Sequence, residues 1–227
     1  MTYFVFPPSA PTVLPVSGGG LLPVRRVFCV GRNYPDHVRE MGNDPAREPP
    51  VFFTKPADAV TTRPTIPFPP ATDNLHYEGE LVVVIGRDGR SVPEAAAKDI
   101  IFGYTVGCDL TRRDLQTAAK KAGQPWDMGK AFDFSAPAGV VHPADEIGHP
   151  AKGTIRLSVN GAEKQRGDIA DMIWSVPEIV SCLSGLVHLA PGDLIFTGTP
   201  AGVGRLFKGD RVEIAVEGVT SHVFTVV

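Results

Sequence analysis

Glu78 and Glu80 open the run NLHYEGELVVVIG, two residues apart and directly ahead of an unbroken apolar stretch. Side chains two apart on a strand point to the same face, so the two carboxylates converge at the mouth of a buried strand. Like charges there would repel, and one carboxyl would favour its protonated form. A divalent cation resolves that conflict. Asp109 closes a second apolar run, FGYTVGCD, and adds a third carboxylate. Three oxygen ligands with open positions suit Mg²⁺ or Mn²⁺ in octahedral geometry, with water and substrate completing the shell. A plainer reading is also open: an ExE at a strand edge is common, and Asp109 could simply favour the N-terminus of a following helix.

In Tyr34-Pro-Asp-His37-Val-Arg-Glu40 the proline suits a first helical turn, which sets His37 and Glu40 three apart on one helical face. A carboxylate beside an imidazole orients the ring, as a general base requires. A surface helix with an ordinary charge pair would show the same spacing. Lys130, Gln116 and Thr199 carry no such signal singly, since lysine and glutamine are usually solvated and a Gly-Thr-Pro after a strand is usually a turn.

The elements that must hold these groups are mostly strands. Apolar runs recur at Val27 to Val30, Val51 to Thr54, Leu81 to Ile85, Ile101 to Cys108, Thr154 to Val159, Leu194 to Thr197, Val212 to Val216 and His222 to Val226, each bounded by turn residues. Asn160-Gly161 marks a hairpin. Helical signals are fewer: Pro35 to Met41, Pro93 to Ile100, Thr111 to Ala122, and Ser175 to Leu183 with a Ser175…Glu178 capping box and Gly185 as its stop. The class is therefore α+β, mainly β. Residues 1–23, rich in proline and carrying Gly18-Gly19-Gly20, read as an extended N-terminal arm, with one folded domain over 24–227.

The 227 residues, 43% hydrophobic and 21% charged, suit one globular domain, and the net charge of −3 offers no basic excess for nucleic-acid phosphates. Neither Gly198-Thr-Pro-Ala-Gly-Val-Gly204 nor Gly129-Lys130 has the order of a nucleotide loop. Three scattered cysteines without a CxxC suggest neither a disulfide framework nor a zinc cage and point to a reducing cytoplasm. The N-terminus lacks the features of a secretory signal, and the longest aliphatic run falls far short of the roughly 20 residues a membrane helix needs. No membrane or nucleic-acid partner is expected.

Seven ordered blocks, VFCVGRNYPDHVREMG, PVFFTKPADAV, NLHYEGELVVVIG, GYTVGCDLTRRDLQ, PWDMGKAFDFSAP, DMIWSVPEIV and PGDLIFTGTPAGVG, resemble the fumarylacetoacetate hydrolase family from about Val24 to the C-terminus. The resemblance implies a mixed β-roll of stacked sheets, usually a homodimer, and metal-dependent hydrolysis of the C–C bond in a β-diketo acid. Within the family the chain is most similar to the bacterial fumarylpyruvate hydrolases, which implies fumarylpyruvate as substrate and fumarate and pyruvate as products. Oxaloacetate decarboxylation, hydrolysis of another acylpyruvate, keto-enol isomerisation and a non-catalytic binding role are the alternatives. The implied metal ligands are Glu78, Glu80 and Asp109, holding Mg²⁺, Mn²⁺ or Ca²⁺. His37 oriented by Glu40 is the implied base, Lys130 steadies the charge that develops on the leaving half, and Gln116 and Thr199 hold substrate or water. For the far carboxylate of a fumaryl substrate, Arg32 and Arg113 are the cations that chemistry suggests. Two departures stand out: Tyr77 replaces a histidine common in relatives, and Met128-Gly129 precede Lys130, with Gly129 expected to loosen how that lysine is held.

Overall fold

The computed structural model describes residues 4–227. All eight apolar runs are strands. Six strands form the central sheet in the order His142–Pro143, Ile101–Cys108, Gly79–Ile85, Asp193–Phe196, Arg26–Gly31, Val51–Lys55. Its pairings are antiparallel except between Asp193–Phe196 and Arg26–Gly31. A five-stranded sheet, Ala162–Asp168, Thr154–Val159, Arg211–Val216, Thr220–Val226 and Thr65–Ile66, packs against one face of it. Asn160 and Gly161 both take positive φ, 53° and 80°, at the expected hairpin. This mainly β, stacked-sheet α+β architecture is the one the sequence implies.

Both faces of the central sheet are covered, which explains why LVVVI reads as a continuous apolar run rather than an alternation. Leu81, Val83 and Ile85 enter the large core between the sheets. Val82 and Val84 point the other way, into a second core with Val27, Cys29, Leu194 and Phe196. That second core corrects the N-terminal arm. Val13–Pro15 and Leu21–Pro23 pair as an antiparallel hairpin, and Leu14 and Leu22 are buried against the second face of the sheet. Residues 4–11 and the hairpin turn at 18–21 remain exposed. The prolines tolerate short edge strands, and the apolar sheet face supplies the burial that local composition could not reveal.

The helices are short. α1 (Pro35–Glu40) follows the first core strand with Pro35 in its first turn. α2 (Arg113–Lys121) starts two residues later than expected, because Thr111 and Arg112 pair with His76 and Leu75 as a strand. α3 (Asp127–Lys130) was not signalled by the sequence. Pro93 to Ile100 forms tight 3₁₀ turns instead of an α-helix. The helix Val176–Leu186 begins with the expected Ser175 and Glu178 box but runs through Gly185, its interior glycine cost outweighed by packing.

Candidate active site

The chain is bent where chemistry is needed. Glu78 falls between the strands Leu75–Tyr77 and Gly79–Ile85, and Glu80 continues the row of Val82 and Val84 at the end of the latter. Asp109 directly follows Ile101–Cys108, the neighbouring strand. Oxygens of these three buried carboxylates lie within 4.8 Å of one another. The bend is clasped by Gln165, a residue the sequence reading missed: its Oε1 accepts from the Gly79 N–H at 2.9 Å, and its Nε2 donates to Thr199 Oγ1 and to the Pro200 carbonyl, both at 2.8 Å. Thr199 in turn donates to the Gly79 carbonyl at 2.9 Å. Thr199 lines the cleft, but its one hydroxyl proton is committed to the backbone, so the side chain fixes the bend instead of donating to a ligand.

Buried cations balance the carboxylates. Lys130 Nζ donates to Glu78 Oε2 (2.8 Å), Asp109 Oδ2 (2.6 Å) and Thr111 Oγ1 (2.7 Å). Burial pulls its pKa down, yet Asp109 and Glu78 outweigh that and raise it above the ordinary lysine value. Burial would push Glu78 up, but Lys130 and Arg113 hold it well below the usual carboxylate range. Glu80 goes the other way, raised by burial and then by Asp109 and Glu78, with only the Gly198 N–H donating to it. Lys55, also missed as a site residue, is fully buried with Nζ 2.8 Å from Asp109 Oδ1. Two of its three hydrogens go to the carbonyls of Leu110 and Lys130, and the third is left for the ion pair with Asp109 Oδ1.

A carboxyl crowded by two others and an all-oxygen donor set whose atoms lie within 4.8 Å of one another fit a hard divalent cation. The sequence alternative, in which Asp109 only favours a helix start, does not describe this arrangement.

Arg113 lies at the floor of the cleft, not at its far end. Its guanidinium bonds Glu78 and donates from Nη1 to Gln116 Oε1 at 2.5 Å. That corrects its expected role towards a distal carboxylate. Gln116 thereby keeps its amide N–H groups for the cleft. His76 stands beside Arg113, and burial followed by the arginine charge lowers its pKa to about 4. Gly129 does not loosen Lys130. A Cβ there would sit 2.9 Å from the Gln116 backbone nitrogen, so the glycine lets α3 close onto α2.

On the facing side, α1 carries His37 and Glu40. His37 Nδ1 lies 3.1 Å from Glu40 Oε2, which leaves Nε2 free, and His37 lines the same cleft as the carboxylates. Both Glu40 oxygens also accept from the Gly202 N–H, at 3.1 and 3.2 Å, tying the helix across the cleft. Asn33 pins the helix entrance: its Nδ2 donates to the Trp174 and Thr197 carbonyls and its Oδ1 accepts from the Trp174 N–H. Arg32 lines the cleft as well. Tyr77 is buried behind the bend.

A buried carboxylate triad, a charge-paired lysine and an oriented imidazole in one cleft on a β-roll define a metal-dependent enzyme. The chain belongs to the fumarylacetoacetate hydrolase family, whose model "Fumarylacetoacetate (FAA) hydrolase C-terminal" matches residues 26–227. A fumarylpyruvate hydrolase from Pseudomonas aeruginosa, crystallised with Mn²⁺ and pyruvate, is 49% identical, with a TM-score of 0.97 and 99% of each chain covered. A putative fumarylpyruvate hydrolase from Burkholderia cenocepacia is 51% identical, with a TM-score of 0.93, covering 99% of this chain and 98% of that one. The mitochondrial oxaloacetate tautomerase of Homo sapiens is 44% identical over 203 residues, 89% of this chain and 91% of that protein. The protein is thus an enzyme of a family of hydrolases and tautomerases that act on dicarboxylic keto acids. Among the described residues no helix is long and apolar enough to cross a membrane.

Proposed function

We propose that the enzyme hydrolyses the C–C bond of a β-diketo acid of the fumarylpyruvate type, releasing fumarate and pyruvate. The observation that carries this reading is the His37–Glu40 pair, which faces the carboxylate triad across one cleft with a free imidazole nitrogen. Glu78, Glu80 and Asp109 would hold the divalent cation, which when bound polarises the α-keto acid end of the substrate.

The chain's own residues account for the rest. His37 Nε2 takes a proton from water, while Glu40 fixes the ring and balances the imidazolium. The hydroxide adds to the carbonyl far from the α-keto acid group, and collapse of that adduct breaks the C–C bond. The electron pair leaves on the pyruvate half as an enolate, beside the Lys130 ammonium. His37 returns its proton to the enolate carbon, so water is consumed and the base is restored. Gln116 uses its free amide hydrogens to orient the substrate carboxylate or the attacking water.

Turnover in water labelled with heavy oxygen tests this step. One labelled oxygen in the new carboxylate of fumarate is expected; fumarylpyruvate left intact while oxaloacetate is consumed would replace this reading with a second one. That second reading, oxaloacetate tautomerisation on the same site, has the support of the Homo sapiens relative.

A further inference from the structure

We propose that Arg32 and Lys120 form a two-cation clamp at the mouth of the cleft that recognises the second carboxylate of the substrate and so selects diacids over monoacids. This rests on the diketo-acid reading above and assigns its specificity.

The charges in the cleft divide into two populations. Those on the floor are consumed by one another: Lys130, Lys55 and Arg113 are all engaged with Glu78 or Asp109. Arg32 and Lys120 line the same cleft, yet among the described residues neither side chain has an ion-pair or hydrogen-bond partner. The acid on α1, Glu40, is occupied by His37 and Gly202. The mouth therefore holds two cations with no protein anion to meet them.

Their placement is built into the fold. Arg113, Gln116 and Lys120 are spaced i, i+3, i+7 on α2, so they form one stripe along a single helix face. Seven residues of α-helix rise about 10 Å, which carries the stripe from the floor to the rim. Arg32, in the loop that enters α1, takes a left-handed backbone, φ 61°, uncommon for a residue with a side chain. The neighbouring Asn33, wholly buried and holding three backbone groups, over-determines that turn. Between floor and rim the wall is apolar, with Phe53 against Trp126 at 5.8 Å between ring centroids. An α-keto carboxylate at the floor, a carbon chain along the aromatic wall and a carboxylate between Arg32 and Lys120 match these three zones. Lys120 escaped the sequence reading, although the spacing from Arg113 was the signal that could have found it.

The test is binding, not turnover. Calorimetric titration of the Mn²⁺-loaded protein compares α-ketoadipate with its monoacid counterpart α-ketohexanoate. The expected result is diacid binding at least about tenfold tighter, with Lys120→Gln and Arg32→Gln each cutting that ratio about tenfold. Arg32→Lys, which keeps the charge, should retain most of the ratio and guards against a loss caused by the strained backbone. Lys121→Gln, one position around the helix, serves as the control with an unchanged ratio. Equal binding of the two acids by the unmodified protein, or equal loss for both in Lys120→Gln, overturns the clamp. Absence of fumarate release would remove the hydrolase reading and leave this ratio standing, so the two failures are separable.

Discussion

The floor and the mouth of the cleft are built on opposite principles. On the floor, three carboxylates, two lysines and an arginine are buried together and joined by short contacts, with strands and a clasped bend behind them. At the mouth, His37 and Arg32 sit on a short helix and its entry loop, fastened through Asn33 at one end and the Glu40 to Gly202 contact across the cleft. A buried charge network is unforgiving, because removing one partner strands another charge in a medium of low dielectric. A short helix held by a few hydrogen bonds can be altered with little effect on folding. Substitutions on the floor should therefore reach stability, and those at the mouth should reach rate and selectivity.

Replacing His37 by Ala is the sharpest way to test the division. Turnover should fall by about 10² to 10⁴-fold, while Mn²⁺ binding survives and stability changes by about 1 kcal/mol or less. Retained turnover would remove His37 as the base. Lys55→Ala is the converse experiment. It leaves Asp109 with one buried cation fewer, so urea unfolding should report a loss of about 3–5 kcal/mol; a loss of a few tenths would mean that the floor tolerates an unpaired carboxylate.

Gly129→Ala lies at the joint between the two regions. The added methyl must push α3 from the Gln116 backbone, at a cost of about 1–3 kcal/mol, and Lys130 should be displaced with it. The expected signature is lower stability together with a lower kcat, whereas an unchanged kcat would show that the spacing of α2 and α3 does not govern Lys130. The smallest effect concerns acid. His76 is kept neutral, its pKa lowered to about 4 by burial and Arg113, so the unfolded chain binds the extra proton first as pH falls. Its contribution is complete above the ordinary histidine value and is lost progressively down to about pH 4, and His76→Asn should flatten that part of a stability-versus-pH curve.

Much of this was legible because the informative signals were local. The strand runs needed only period and turn residues, and the ExE with a later Asp needed only alternation and one strand end. The capping box of Ser175 and Glu178 was readable for the same reason. What escaped depends on contacts between distant segments. Leu14 and Leu22 sit in a proline-rich stretch whose burial is decided by a sheet face built from Val27, Cys29, Val82, Val84, Leu194 and Phe196. Gln165 lies in the exposed-looking AEKQRGD, and only the meeting of that strand with Gly79 and Thr199 makes it a clasp. Arg113 looked like a free cation, since its sequence neighbours give no sign that Glu78 takes it up. Gly129 looked like slack for the same reason: the Gln116 backbone it admits is remote in sequence.

The central claim is that one floor and one base together cleave a diketo acid. Metal-depleted enzyme given fumarylpyruvate, acetylpyruvate and oxaloacetate in parallel, with and without Mg²⁺ or Mn²⁺, tests it most directly when the products are identified. The account predicts metal-dependent release of fumarate and pyruvate, with fumarylpyruvate consumed faster than acetylpyruvate. Turnover of oxaloacetate alone would contradict it, leaving the floor in place and removing the water-activating role of His37.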